Sequence, residues 1–220
     1  MAFIRHYKPS DFDAAAQICR ETLAPSLVGS EPAWRIGPYV WTHPFTHLSP
    51  TTCFVVDDGT GKAVGYCIGC PDIPSFMASY QRYVDDVLDR PGSEVPRPAD
   101  VCSQREPWTL PDGSPNGTCL AQTAYNAEWL LVSGNEDLVD GGYKATMHIN
   151  LLDGWRGGGW GRKLIERFVE AVRAGAMPGT RGIMIGVAPD NGKVVPFYER
   201  LGFRLDEGGE KGSIRMVRDL

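Results

Sequence analysis

The chain lacks the features that would direct it to a membrane, a nucleic acid or a metal. Nowhere in its 220 residues do eighteen uncharged apolar residues run together, and the opening Met1-Ala2-Phe3-Ile4-Arg5-His6 has no continuous apolar stretch of the kind found in a secretory leader. A cytoplasmic or nucleocytoplasmic setting with no membrane partner is therefore expected. The 22 basic and 27 acidic residues give a net charge of −5 without a basic tail or block, which argues against nucleic acid as the main partner. Of the four histidines, His43 and His47 stand four apart, but Pro44 and Pro50 argue against a helix that would present both to one metal, and a capping or loop role is expected. Six cysteines, at 19, 53, 67, 70, 102 and 119, are expected to be buried thiols in a reducing compartment. Cys67-Ile68-Gly69-Cys70 has redox or zinc spacing but no second pair and no histidine cluster, so no metal is expected. Repeats and low-complexity tracts are absent as well. With 42% hydrophobic residues, the chain can bury a full core as one domain spanning residues 1–220.

What the chain has instead is Gly154-Trp155-Arg156-Gly157-Gly158-Gly159-Trp160-Gly161-Arg162-Lys163. Before it, Tyr143 to Leu152 alternates, with Met147, Ile149 and Leu151 on one side and Thr146, His148 and Asn150 on the other, as a half-buried strand should. After it, Leu164, Ile165, Phe168, Val169 and Val172 recur at helical spacing until Ala174-Gly175 and Pro178. A glycine turn between a strand and a helix aims several backbone N–H groups and a helix N-terminus at one point, which suits a phosphate or pyrophosphate. Arg156 and Arg162 add positive charge at the rim. A P-loop would need Ser or Thr after Gly-Lys, and here Arg162-Lys163-Leu164 offers no hydroxyl for magnesium. The dinucleotide fingerprint also fails, because Leu164 stands where a third small residue belongs and no acidic residue closes Gly182 to Val187.

Further on, Gly182 to Val187 reads as a buried strand, Ala188-Pro189-Asp190-Asn191-Gly192 as a turn, and Val194, Val195, Phe197, Tyr198 and Leu201 as a short helix ended by Gly202. Together, Arg156-Gly157-Gly158-Gly159-Trp160-Gly161 and the run from Asn191 through Phe197-Tyr198 to Gly202-Phe203 resemble two motifs of the GCN5-related N-acetyltransferase (GNAT) superfamily. The first resembles its acetyl-CoA signature Arg/Gln-x-x-Gly-x-Gly/Ala. The second departs from the family pattern only at Val194, where the family has alanine. A narrower resemblance, to the acetyltransferase-like domain of O-GlcNAcases and its free-standing microbial relatives, rests on His148-Ile149-Asn150-Leu151-Leu152, Thr180-Arg181-Gly182 and Pro189-Asp190-Asn191. Such relatives commonly carry an acidic residue where this chain has Asn150, and another where it has Asn191.

The resemblance implies an α/β GNAT fold, a mixed and mostly antiparallel central sheet flanked by helices. It implies acetyl-CoA as cosubstrate, no metal, and an amine acceptor, either a small molecule or a protein. The pyrophosphate would lie on Gly157, Gly158, Gly159, Trp160, Gly161, Arg162 and Lys163 beside Arg156. The pantetheine arm would run beside Ile149, Asn150 and Leu151, with the N–H of Leu151 or its neighbour near the thioester oxygen. Phe197 would line the cofactor site, and Tyr198 would supply the proton to the departing thiolate. Asn191 is assigned to cofactor or turn contacts, because asparagine accepts the left-handed geometry such a turn needs. The base that receives the acceptor's proton stays open between His148, which points away from Ile149 and Leu151, and Asp190 acting through a water relay. An inactive pseudo-acetyltransferase, serving as a CoA-binding or protein-interaction module, is the alternative. A homodimer is compatible with either.

The rest of the chain supplies a strand at Phe3 to Tyr7 and a helix capped at Ser10-Asp11 with Ala14, Ile18 and Leu23 inward. Thr52 to Val56 and Ala63 to Cys70 form a hairpin around Asp57 to Lys62. Residues from about 71 to 142 form an insertion. One helix is expected through Phe76, Tyr80, Tyr83, Val84, Val87 and Leu88, and another from Leu120 to Leu131. Between them lies a loop, Pro91 to Pro115, that contains Trp108. The insertion is either a surface elaboration or a lid over the acceptor site.

Overall fold

The alternating and the continuous apolar segments pair into one seven-stranded sheet in the computed structural model, which describes residues 1–208 and 212–220. The strands are β1 (Phe3–His6), β2 (Phe54–Asp57), β3 (Ala63–Cys70), β4 (Ala145–Leu151), β5 (Gly182–Val187), β6 (Arg204–Leu205) and β7 (Ile214–Asp219), in the spatial order β1-β2-β3-β4-β5-β7-β6. All neighbours are antiparallel except β4 and β5. The fold is the GNAT fold, as the resemblance implied.

Helices cover both faces. On one lie α1 (Phe12–Glu21), α2 (Glu31–Trp41) and α3 (His43–Leu48), which bury Ile18, Ile36, Val40 and Phe45 against Tyr66 and Ile68 of β3. The insertion adds α4 (Ile73–Ala78), α5 (Tyr80–Tyr83) with a π turn at Val84–Leu88, α6 (Gly117–Tyr125), α7 (Ala127–Leu131) and α8 (Glu136–Asp140) to the same cluster. On the other face, α9 (Trp160–Ala174) sets Leu164, Ile165, Phe168, Val169 and Val172 against Val56, Cys67, Met147 and Ile185. Strand alternation divides the two cores, since Tyr66 and Ile68 face one way and Cys67 the other. The short α10 (Val195–Glu199) follows β5, and Gly202, at φ +82°, closes the turn after it.

Several expectations are corrected. His43 and His47 do lie on a helix, because Pro44 occupies its first turn, where a missing N–H costs nothing. They diverge nonetheless: His43 stacks on Phe12 at 3.7 Å, and His47 Nε2 meets Asp86 Oδ2 at 3.0 Å. Among the described residues, no group of metal-ligating side chains is brought together. Cys102 is exposed, unlike the five other thiols. The helix expected at Leu120 to Leu131 is cut at Asn126, which turns extended and caps α7 by accepting from Glu128 N–H at 3.0 Å. The helix expected at Phe76 to Leu88 breaks at Ser79 and ends in the π turn.

Tyrosines whose buried hydroxyls find carbonyl partners hold the insertion together and bind it to α2. Tyr80 donates to Ala124 O and Tyr83 to Tyr39 O, each at 2.8 Å. No helix among the described residues is long and apolar enough to cross a membrane.

Candidate active site

β4 and β5 are hydrogen-bonded neighbours only at Ala145 with Ile183 and Thr146 with Met184, and beyond these residues the strands part. β4 stays paired to β3 throughout, and Leu152 N–H donates to Val64 O at 3.1 Å. Antiparallel alternation then sends the N–H groups of His148 and Asn150 to β3 as well. Those of Ile149 and Leu151 face the gap.

The glycine turn enters this gap from the end of β4. Arg156 bends it, donating through Nε to Leu151 O at 2.9 Å while Nη1 pairs with Asp153 at 2.7 Å. Gly159, the residue before α9, adopts φ +78°, which a side chain would strain, and a Cβ there would meet open space. From Gly157 to Arg162 no backbone N–H has an acceptor among the described residues. Six donors without acceptors among the described residues thus lie along the turn at the positive end of a fifteen-residue helix. Gly161 also has a packing role. A Cβ there would come within 3.0 Å of Phe197 Cζ, so its smallness lets α10 pack against α9.

A cleft of about 780 Å³ lies over the turn. Its walls bring together Ile149, Asn150, Leu151, Arg156, Gly157, Gly159, Gly161, Arg162, Asn191, Phe197 and Tyr198. Gly158, Trp160 and Lys163 are not part of these walls; the Lys163 ammonium sits 4.8 Å over the Trp160 ring, which packs beside Trp155. Sequence reasoning missed Thr22, Leu23 and Pro25, which line the cleft from the segment after α1.

A second cleft of about 370 Å³ opens on the other side of the parted strands and continues into a recess of about 230 Å³. His148 lines this cleft and not the first. The two clefts share Ile149, Asn150, Asn191, Val194 and Tyr198, together with Thr22 and Leu23. Tyr198 holds its ring edge-on to Phe197 and Phe203, at 5.3 and 5.7 Å, and burial raises its phenol pKa so that it remains a proton donor.

The remaining candidates are more constrained. His148 packs beside Phe45, and burial lowers its pKa to about 4, leaving a neutral imidazole at pH 7. The Asp190 carboxylate accepts from Ser26 N–H at 2.6 Å. Asn191 does not take the left-handed geometry expected of it; its φ is −111°. The backbone of Asn150 is committed to β3, and its side-chain amide donates to Tyr66 Oη at 2.9 Å.

Residues 102–203 match the model of the acetyltransferase (GNAT) family. SsHAT is 29% identical to the chain, with a TM-score of 0.76 over 99% of this chain and 98% of that one. The GNAT domain of S. lividans PAT, at 14% identity, superimposes with a TM-score of 0.51 over 100% of this chain and 90% of that one. A chain of the NatC complex bound to Gag peptide and CoA, at 11% identity, gives 0.51 over 100% and 98%. The last two likenesses concern the fold alone. The family match and the likeness to SsHAT support placement in the GNAT superfamily and an acetyl-transfer function.

Proposed function

We propose that the chain is an acetyl-CoA-dependent N-acetyltransferase that joins both substrates in one ternary complex and transfers the acetyl group directly to an amine. The observation that carries this reading is the parting of β4 from β5, which leaves the N–H groups of Ile149 and Leu151 without an acceptor among the described residues, along a path from the glycine turn to Tyr198. Acetyl-CoA fits these residues: free N–H groups and Arg162 for the pyrophosphate, strand N–H groups for the amide arm, and a shared junction for the thioester. Its thioester supplies the activated acetyl group.

In this reading the Leu151 N–H stabilises the oxyanion that forms when the amine nitrogen attacks the thioester carbonyl. Collapse forms the amide and breaks the carbon–sulfur bond, and Tyr198 gives its proton to the leaving sulfur. The proton released by the nitrogen returns to Tyr198 through water or His148, with Asp190 and a water relay as the other route. The acceptor enters by the second cleft. The chain acts as one domain, 1–220, with its insertion forming part of the acceptor side. A CoA-binding module without turnover is the second reading, and it is favoured by the engagement of Asp190 with Ser26 and by the low basicity of His148.

Tyr198→Phe separates the two. The transferase reading expects kcat to fall by roughly 10²–10⁴-fold in a thiol-release assay, with CoA affinity by calorimetry unchanged, since the ring still packs. Wild-type turnover in the variant would remove Tyr198 from the proton path. Tight CoA binding with no amine accepted by the wild type would favour the second reading.

A further inference from the structure

The second cleft carries information about the acceptor that the first does not. Its wall away from the thioester junction is an aromatic corner: Trp41 from the end of α2 and Trp108 from the insertion, with ring centroids 6.3 Å apart and planes inclined at 59°. Trp108 does not dangle there. Its carbonyl accepts from Asn116 N–H at 2.9 Å, and the segment around it closes into a small hairpin through Leu110 N–H to Ser114 O at 2.8 Å and the bridge between Thr109 and Pro115. Leu27 and Met147 complete an apolar surround. Among the described residues lining the cleft, none is Asp, Glu, Lys or Arg, and Asp190 beside it is occupied by Ser26 N–H.

Such a cleft suits an acceptor with a flat apolar body and no fixed charge. Packing on angled tryptophan faces rewards a planar ring. An ammonium ion or polyamine would surrender its hydration to a wall whose described residues offer no carboxylate in return. The polar groups nearest the junction are mild ones. Asn150 donates to Tyr66 Oη, which lies 3.3 Å from Thr42 Oγ1, and this leaves Asn150 Oδ1 to accept an amine N–H. His148, on the same wall, is a neutral imidazole of low basicity. These groups match an amine that is already uncharged at neutral pH and so needs no strong base to deprotonate it before attack.

We propose that the second cleft takes a weakly basic aromatic amine, its ring on the Trp41–Trp108 corner and its amino group against Asn150 at the junction. This rests on the transferase reading above. The reaction balances without an added base: the neutral amine and the thioester give an anilide and a free thiol. The carbon–nitrogen bond forms, the carbon–sulfur bond breaks, and the proton lost by nitrogen equals the one gained by sulfur.

The test compares p-anisidine and 5-aminoindole with benzylamine, spermidine, glucosamine and a lysine peptide in the thiol-release assay, with acetyl-CoA as donor. The two aromatic amines are expected to exceed every other acceptor in kcat/KM by at least about tenfold, and Trp108→Ala to cut their kcat/KM by roughly five- to tenfold while CoA affinity holds. A higher kcat/KM for spermidine, glucosamine, benzylamine or the peptide would overturn the proposal, as would a Trp108→Ala variant of wild-type kcat/KM. If no amine turns over although CoA binds, the transferase reading fails. Calorimetry of p-anisidine into the CoA-saturated protein then decides the site by itself. Binding that weakens in Trp108→Ala upholds the assignment, and absence of binding overturns it.

Discussion

Of the two clefts that meet at Ile149 and Tyr198, the first has at its centre one local strand–turn–helix unit, Ile149 to Arg162, that presents free backbone N–H groups, whereas the second is assembled from Leu27, Trp41, Trp108, His148 and Val187, segments distant in the chain. A main-chain site is secured by a few glycine conformations and little else. A side-chain site depends on every packing contact that brings its walls together. The first should therefore fail at single points and the second by loosening.

The largest effect is expected at Gly159. Replacing it with Glu places a carboxylate in the open volume before the α9 N-terminus, where the pyrophosphate would lie, and forces a side chain into φ +78°. The left-handed backbone costs roughly 1–2 kcal/mol of stability, and the added charge should weaken CoA by more than about a hundredfold through like-charge repulsion of several kcal/mol. Calorimetry on the folded variant checks this. Unchanged affinity would break the distinction between the clefts, because the first would then not depend on its glycines.

Arg215 offers the complementary disruption. Its side chain, 3% exposed, donates to Asp137 at 2.9 and 2.7 Å, to Asp206 at 2.9 Å and to Gly134 O at 3.0 Å, fastening the segment before and within α8 to β7. That segment adjoins Leu130, Leu131 and Asn135 in the recess of the second cleft. Arg215→Ala should cost about 2–3 kcal/mol, less than a wholly buried pair because Asp137 keeps its contact with water. Denaturant unfolding measures the loss. CoA affinity should stay within about twofold of the native value at an unsaturating temperature, for the first cleft takes no wall from α8. A loss of CoA binding equal to the loss of stability would show the two clefts to be one mechanical unit.

The same contrast explains what the sequence disclosed. Periodicity located β4 and α9, and the glycine spacing located the turn between them, because each of those signals is local. Tyr198 and Phe197 were legible through their motif, and eleven of the cleft-lining residues lie between Ile149 and Arg162 or in that motif's Phe-Tyr pair. Trp41 and Trp108 were not legible as a pair, since sixty-seven positions separate them and only tertiary packing brings them to 6.3 Å. No helix was expected over α2, and α3 was argued against because Pro44 and Pro50 read as breakers. Pro32 and Pro44 fall in first turns, where proline is tolerated, and Pro38 lies inside α2, its cost outweighed by the burial of Ile36 and Val40. β7 was hidden by its arginines: Arg215 is buried through ion pairs that no one-dimensional pattern reveals.

The smallest effect separates the two faces by pH. His43 is 1% exposed, parallel to Phe12 and edge-on to Tyr39, and neither of its ring nitrogens has a partner among the described residues. Burial, aided by the charge of Arg20, lowers its pKa to about 3. In the unfolded chain it returns to about 6.5, so the unfolded state binds a proton that the folded state refuses throughout the interval between them. The stability contributed by the neutral ring is complete above pH 6.5 and is lost as pH falls toward 3, at about 1.4 kcal/mol per unit. His148, lowered to about 4 on the same face, adds a parallel slope. His43→Phe keeps the stack on Phe12 and removes the titrating group. Between pH 6 and 5, above the range in which carboxylates add their own dependence, the slope of unfolding free energy against pH should fall by about half. Stability at pH 7 should rise by about 1 kcal/mol, because two unpaired nitrogens are gone. An unaltered slope would show that His43 is protonated or hydrated in the folded state. CoA affinity at pH 7 should be the same in both proteins, since His43 lines neither cleft.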